Sequence, residues 1–127
     1  MSAITVDTRD RKPIWEQLTD NVKSLVLRGG LLPGEQLPGV RSLASELAIN
    51  PNTIQKAYAE LERQGIIYSV QGRGSFVSEG IESIRKNEHT LLLSELTKTL
   101  TSLKSAGISK EDICTITEKV WGGISND

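Results

Sequence analysis

The side chains best suited to recognition chemistry form a short polar run near the middle of the chain. Asn52, Thr53, Gln55 and Lys56 lie within one predicted helix. Asparagine and glutamine amides can form paired hydrogen bonds with the edge of an adenine, and a lysine ammonium can reach guanine or phosphate. The run therefore has the chemistry to recognise nucleic acid by hydrogen bonding.

A second candidate contact is a single arginine between two glycines. Gly72, Arg73 and Gly74 form the centre of a predicted tight turn. A glycine backbone can press close to DNA, while the arginine reaches a phosphate or a narrow minor groove. Taken alone, a charge such as Lys56 or Arg73 is usually a solvated surface charge.

Catalytic and metal-binding chemistry finds no support in the residue pattern. His89 has no second ligand four residues on, and the serines are scattered without a nucleophile motif. Ser109 followed by Asp112 resembles a capping box at the start of the last predicted helix. Cys114 lies beside the apolar stripe of that helix, where we expect a buried or semi-buried structural thiol; the alternative is a redox sensor. We expect no enzyme activity, no metal and no cofactor.

Composition bounds the class of protein. The 127 residues suit one ordinary domain, or one small domain with an extension, and the net charge is −1. Residues 1–80 hold nine basic and nine acidic side chains, which sum to zero, so any DNA affinity must come from where charges are placed. One cysteine, no signal peptide and no run long enough to cross a membrane predict a cytoplasmic protein.

Apolar spacing predicts three helices followed by a hairpin. The helices begin near Pro13, at Val40 and at Pro51, and Asn50 is the expected cap of the third. A turn-rich connection at residues 31–39 joins the first two helices. Strands are predicted at residues 66–70 and 75–77, around the turn at residues 71–74, and residues 81–87 are expected to be a linker or a helix start. The predicted fold is mainly α with a small β-hairpin, a winged helix-turn-helix with a helical extension. Such a fold buries one face of its third helix and can place the polar face in a major groove.

Four linked segments resemble the GntR family of bacterial regulators, and the short extension resembles its YtrA subfamily. The segments are LPGVRSLA (37–44), NPNTI (50–54), AYAELERQG (57–65) and GRGSFV (72–77). The resemblance implies a regulator that binds double-stranded operator DNA, most often as a dimeric repressor, with targets that include ABC transporter operons.

The resemblance also implies roles for individual positions. Arg41 matches a family arginine that contacts DNA backbone and bases. The other matching positions lie at the tip of the recognition helix, on its exposed side and at the wing tip; they are Asn50, Asn52, Thr53, Gln55, Lys56, Gln71, Gly72 and Arg73.

Two positions depart from the family pattern. Gly39 replaces a usual serine, so the second helix should have a weaker cap. Pro51 replaces a base-reading arginine found in many relatives, although NPNT is common in YtrA-type sequences.

The leucine-rich C-terminal part predicts a homodimer. About 47 residues, positions 81–127, make too little core to stand alone, so their apolar faces need a partner surface. We expect a DNA-binding domain at residues 1–79 and a helical dimerisation tail at residues 80–127. The expected dimer contacts are Leu92, Leu93, Leu96, Leu100, Leu103, Ile113, Ile116, Val120 and Trp121. The alternative is a monomer whose tail folds back on its own winged domain.

Two other functions fit parts of the pattern. A winged-helix adaptor that binds protein instead of DNA would suit the neutral charge. A ligand-sensing regulator could hold a small effector at a domain or dimer interface, although a short tail argues against a large enclosed pocket. The sequence names no effector.

Overall fold

The computed structural model describes residues 4–122, which contain five helices and one two-stranded antiparallel sheet. In chain order these are α1 (Ile14–Leu27), α2 (Val40–Leu47), α3 (Pro51–Arg63), β1 (Ile67–Val70), β2 (Gly74–Val77), α4 (Ile81–Ser105) and α5 (Lys110–Trp121). The order confirms the predicted mainly helical fold with a small hairpin.

The chain divides into two compact units, Met1–Lys86 and Asn87–Asp127. We call them the winged unit and the tail unit. The first turn of α4 belongs to the winged unit, where Ile81 is fully buried in the core. Residues 81–87, expected as a linker or a helix start, are helical. The division of function after residue 79 stays a prediction.

One apolar core holds the winged unit together. Leu18 and Val22 of α1, Leu43 of α2, and Ile54 and Leu61 of α3 are each at most 1% exposed. Burying one such side chain contributes about 1.5–3 kcal/mol. Because α3 buries this face, its other side must point away from the core.

The loop between α1 and α2 forms a partial third strand beside the hairpin. The Leu37 amide donates to the Ser75 carbonyl at 2.8 Å, and the Val77 amide donates to the Glu35 carbonyl at 2.9 Å. Sequence patterning indicated only a turn-rich connection at residues 31–39, because so short a pairing leaves no alternating pattern. The loop therefore fixes β2 against the helical core.

The tail unit carries a cap that the sequence predicted and a cysteine that it misplaced. The Ser109 side chain accepts a hydrogen bond from the Asp112 amide at 3.1 Å, which caps α5 as expected. Cys114 was expected to be buried or half-buried, but it is exposed, and no residue of α5 is fully buried in the single chain.

Tyr58 provides a test of how the core holds the loop before α2. Its side chain is 7% exposed, and its hydroxyl donates to the Pro38 carbonyl at 2.7 Å. Burial raises the pKa of the Tyr58 phenol, so the folded protein favours the neutral form. This contribution is complete below the pKa of an unfolded tyrosine, about 10, and is lost as the pH rises above it.

We therefore expect Tyr58→Phe to lower the free energy of unfolding by about 1 kcal/mol at pH 7. The gap between the wild type and Tyr58→Phe should narrow as the pH rises above about 10. Urea denaturation at several pH values measures both effects. A gap that stays constant at alkaline pH would contradict the assigned burial of the phenol.

Candidate nucleic-acid interface

An open cleft of about 500 Å³ lies where the N-termini of α2 and α3 approach each other. Four of the predicted site residues share it with two apolar neighbours. The lining residues are Val40, Arg41, Asn50, Pro51, Asn52 and Gln55. The fold thus brings together positions that are up to fourteen apart in sequence (41 to 55).

The α2 side of the cleft combines a cation with an open helix end. Gly39 occupies the cap position and provides no side-chain hydrogen bond, as its departure from the family pattern predicted. The first backbone N–H groups of α2 are therefore left for an external acceptor, and the positive end of the helix dipole favours an anion. Arg41 lies exposed in the first turn of this helix.

The α3 side of the cleft is built from amides. The Asn50 side-chain oxygen accepts a hydrogen bond from the Asn52 amide at 2.8 Å, which confirms the predicted cap. This contact uses an oxygen of Asn50 and leaves its NH₂ group as a donor. Asn52 and Gln55 are exposed, while Thr53 is half-buried and lies outside the cleft lining.

Lys56 is directed to the other flank of α3. Its ammonium lies over the Trp15 ring, 4.5 Å from the ring centre. Such a contact contributes about 0.5–1 kcal/mol at an exposed site. The structure therefore separates Lys56 from the cleft, a placement that the sequence did not reveal because it depends on how α1 packs on α3.

The wing tip presents Gln71, Gly72 and Arg73 to solvent. The Arg73 amide donates to the Val70 carbonyl at 2.9 Å, and Gly72 adopts the positive φ of 80° that closes the turn. Within residues 4–122 no carboxylate forms an ion pair with Arg73. Its guanidinium is therefore available to an external anion.

The C-terminal end of α3 has a different electrostatic character. Arg63 donates to the Glu60 carboxylate at 2.9 Å, and Gln64 donates to it at 2.7 Å. The hydrogen bond from Arg63 and then that from Gln64 lower the pKa of Glu60 to about 2. Since Glu60 stays ionised and paired, Arg63 adds little net positive charge to this end of the helix.

Comparison with known proteins identifies the family. The family model for bacterial regulatory proteins of the gntR family matches residues 15–77. The HTH-type transcriptional repressor YtrA of Bacillus subtilis is 39% identical over 98% of this chain and 99% of its own length. The chain belongs to the GntR family of bacterial regulatory proteins.

Solved structures agree with this assignment. A transcriptional regulator from Oenococcus oeni, 33% identical, superposes with a TM-score of 0.71 over 96% of this chain and 100% of that one. The AraR DNA-binding domain in complex with operator ORR3, 32% identical, superposes with a TM-score of 0.52 over 57% of this chain and 88% of that one. This GntR-family chain is therefore a DNA-binding transcriptional regulator and not an enzyme.

Two absences hold for the part of the chain that the structure describes. Residues 4–122 contain no cluster of three His, Cys, Asp or Glu side chains that could hold a metal ion. No helix within these residues is both long and apolar enough to span a membrane.

Residue-level DNA contacts in this regulator stay predictions. Sequence reasoning did not find Trp15 as the partner of Lys56, nor Gln36, which lies against the wing. The partners of Trp15 and Gln36 lie on elements that are distant in sequence. A local sequence pattern therefore could not have identified these two residues.

Asn50 allows capping to be separated from DNA binding. Asn50→Ala should lower the free energy of unfolding by about 1 kcal/mol because the cap is lost. Asn50→Asp should retain the cap and the wild-type stability, yet weaken DNA binding because it adds a negative charge to the cleft. Thermal unfolding and fluorescence anisotropy with operator DNA measure the two effects. Wild-type affinity in Asn50→Asp would show that DNA does not approach this cleft.

Proposed function

We propose that this protein is a dimeric repressor that inserts the N-terminal end of α3 into the major groove of its operator. The observation that carries the proposal is the cleft between α2 and α3. It gathers Arg41, Asn50, Asn52 and Gln55 at two helix N-termini. Amides can read base edges there, while Arg41 and the open end of α2 bind phosphate.

The wing and the α1 flank of α3 would supply further contacts. Arg73 lies exposed at the tip of a hairpin, between Gly72 and Gly74. Lys56, held over Trp15, lies on the opposite flank of α3 from the cleft, where it can meet the phosphates of the other groove wall. Thr53, Gln71 and Gly72 complete the proposed contact surface.

The neutral composition of residues 1–80 counts against DNA binding, but the positions of the unpaired charges support it. Arg41 and Arg73 are exposed and have no ion-pair partner among residues 4–122, whereas Arg63 is paired with Glu60. These two unpaired arginines lie at the proposed DNA-facing end, and the paired Arg63 lies at the far end of α3. This pattern supports DNA over the protein-binding adaptor as the partner.

The tail unit supports the dimer. Leu92, Leu96 and Leu100 lie at helical spacing on α4 and are 58%, 51% and 37% exposed in the single chain. On α5, Ile116, Val120 and Trp121 are 56%, 62% and 83% exposed. Leu93 is also exposed, and Leu103 and Ile113 are half-buried. A second copy packed by two-fold symmetry would remove these side chains from water and pair two recognition helices on a near-palindromic site.

The biological role follows from this arrangement. A dimer seated on a promoter would exclude the transcription machinery in the cytoplasm. The Bacillus subtilis relative is named a transcriptional repressor. The family resemblance suggests operons that include ABC transporter genes, and the effector is unassigned. Selection of binding sites from random DNA would give the half-site sequence and spacing together.

Arginine substitutions test the DNA-facing surface. Arg41→Ala and Arg73→Ala should each weaken operator binding by about 1–3 kcal/mol in free energy. A phosphate contact also predicts that the slope of log affinity against log salt falls by about 1. Arg63→Ala is the matched control, since it removes an arginine that is paired with Glu60 at the C-terminal end of α3 and should change binding little. Anisotropy titrations over a salt series give both quantities.

Unchanged binding in Arg41→Ala and Arg73→Ala, with both proteins folded, would exclude this surface. The adaptor hypothesis would then be favoured.

A charge placed on the leucine stripe of α4 tests the dimer. Leu96→Glu should shift the protein to monomer, because a carboxylate buried in an apolar interface costs several kcal/mol. Leu91→Glu is the matched control, since Leu91 is 59% exposed but lies about 100° around the helix from Leu92, off the stripe. Sedimentation velocity measures the outcome. A Leu96→Glu protein that stays dimeric would show that the stripe is not the interface.

A further inference from the structure

A side chain from the α1–α2 loop holds the backbone of the wing tip. The Gln36 amide nitrogen donates to the Arg73 carbonyl at 2.8 Å. The same nitrogen lies so close to Gly74 that a Cβ on Gly74 would be 2.6 Å from it. Gln36 thus spans 37 positions of sequence to reach the turn that carries Arg73.

The backbone of Gln36 is itself fixed against β2. Gln36 forms a β-bridge with Phe76, and the neighbouring Leu37 amide donates to the Ser75 carbonyl at 2.8 Å. On its other side, the Val77 amide donates to the Glu35 carbonyl at 2.9 Å. The amide that reaches the wing tip is therefore carried on an anchored strand and not on a free loop.

Hydrogen bonds hold Arg73 from both sides. Its amide donates to the Val70 carbonyl at 2.9 Å, and its carbonyl accepts from Gln36. Gly74 follows with a φ of 127°, which side-chain-bearing residues rarely adopt. With its backbone held in this way, the exposed Arg73 side chain has fewer directions to sample, so less conformational entropy is lost when it binds.

We propose that Gln36 is a positioning residue for DNA binding, which orients the Arg73 guanidinium by fixing the backbone of the wing tip. The proposal rests on the proposed function, in which Arg73 contacts operator DNA. It also assigns Gly74 a second role besides its φ, since only a glycine leaves room for the Gln36 amide. Gln36 need not touch DNA to act in this way.

The proposal predicts that Gln36 affects operator affinity only when Arg73 is present. Gln36→Met keeps the length of the side chain but removes the donor. We expect it to weaken operator binding about three- to tenfold, in line with the loss of one net hydrogen bond. The salt slope should stay at its wild-type value, because no charge is removed. In an Arg73→Ala background, Gln36→Met should have no further effect.

The experiment is a double-mutant cycle on the full chain, read by anisotropy over a salt series. The variants are Gln36→Met, Arg73→Ala and the pair. Gln64→Met is the matched control, because Gln64 also loses an amide hydrogen bond, to Glu60 at 2.7 Å. If Gln36→Met lowers the thermal midpoint strongly, Gln36→Asn keeps an amide on a side chain too short to reach and replaces it in the cycle.

The outcomes separate the positioning role from the function on which it rests. Wild-type binding by folded Gln36→Met, together with weak binding by Arg73→Ala, would overturn the positioning role alone. An equally large loss from Gln36→Met with and without Arg73 would also overturn it, since the effect would then not pass through Arg73. Wild-type binding by Arg73→Ala would overturn both the wing contact and the positioning role.

Discussion

The winged unit depends on the burial of one face of α3. Ile54, Ala57 and Leu61 are fully buried against α1 and α2, and Tyr58 closes the same face with a hydrogen bond to the Pro38 carbonyl. Close packing leaves α3 little freedom to rotate about its axis, because rotation would expose these side chains and open voids. The direction of its polar residues follows from this constraint. A helix fixed in this way can present its short amide side chains to DNA with little further loss of conformational entropy on binding.

The α1–α2 loop links the two parts of the proposed DNA surface. Its Pro38 carbonyl accepts the Tyr58 hydroxyl of α3, and two residues earlier Gln36 donates to the wing tip. Glu35 and Leu37, on either side of Gln36, form backbone hydrogen bonds with β2. One short segment therefore sets the distance between the recognition helix and Arg73. A regulator that contacts DNA at two places benefits from such a connection, because both contacts can then form without first ordering one relative to the other.

The electrostatic character of each surface in this protein depends on where its charged side chains lie and not on the total charge of the chain. The residues before position 81 carry no net charge, yet Arg41 and Arg73 are exposed without ion-pair partners among residues 4–122. Arg63, in contrast, is paired with a glutamate whose pKa is lowered to about 2. Phosphate affinity depends on which cations reach the DNA, so the composition by itself is a poor guide to the partner.

The sequence by itself determined the helices, the hairpin, the caps at Asn50 and Ser109 and the buried face of α3. These features depend on apolar periodicity and on side chains within a few positions of one another, which are local properties of the chain. Only the tertiary structure decided that Arg41 joins Asn50, Asn52 and Gln55 in one cleft and that Lys56 lies over Trp15 on the other flank. It also decided that Cys114 is exposed, and that Gln36 reaches across 37 positions to the wing. Such contacts depend on how separate helices and strands pack together. The residues next to these positions in the sequence do not indicate that packing.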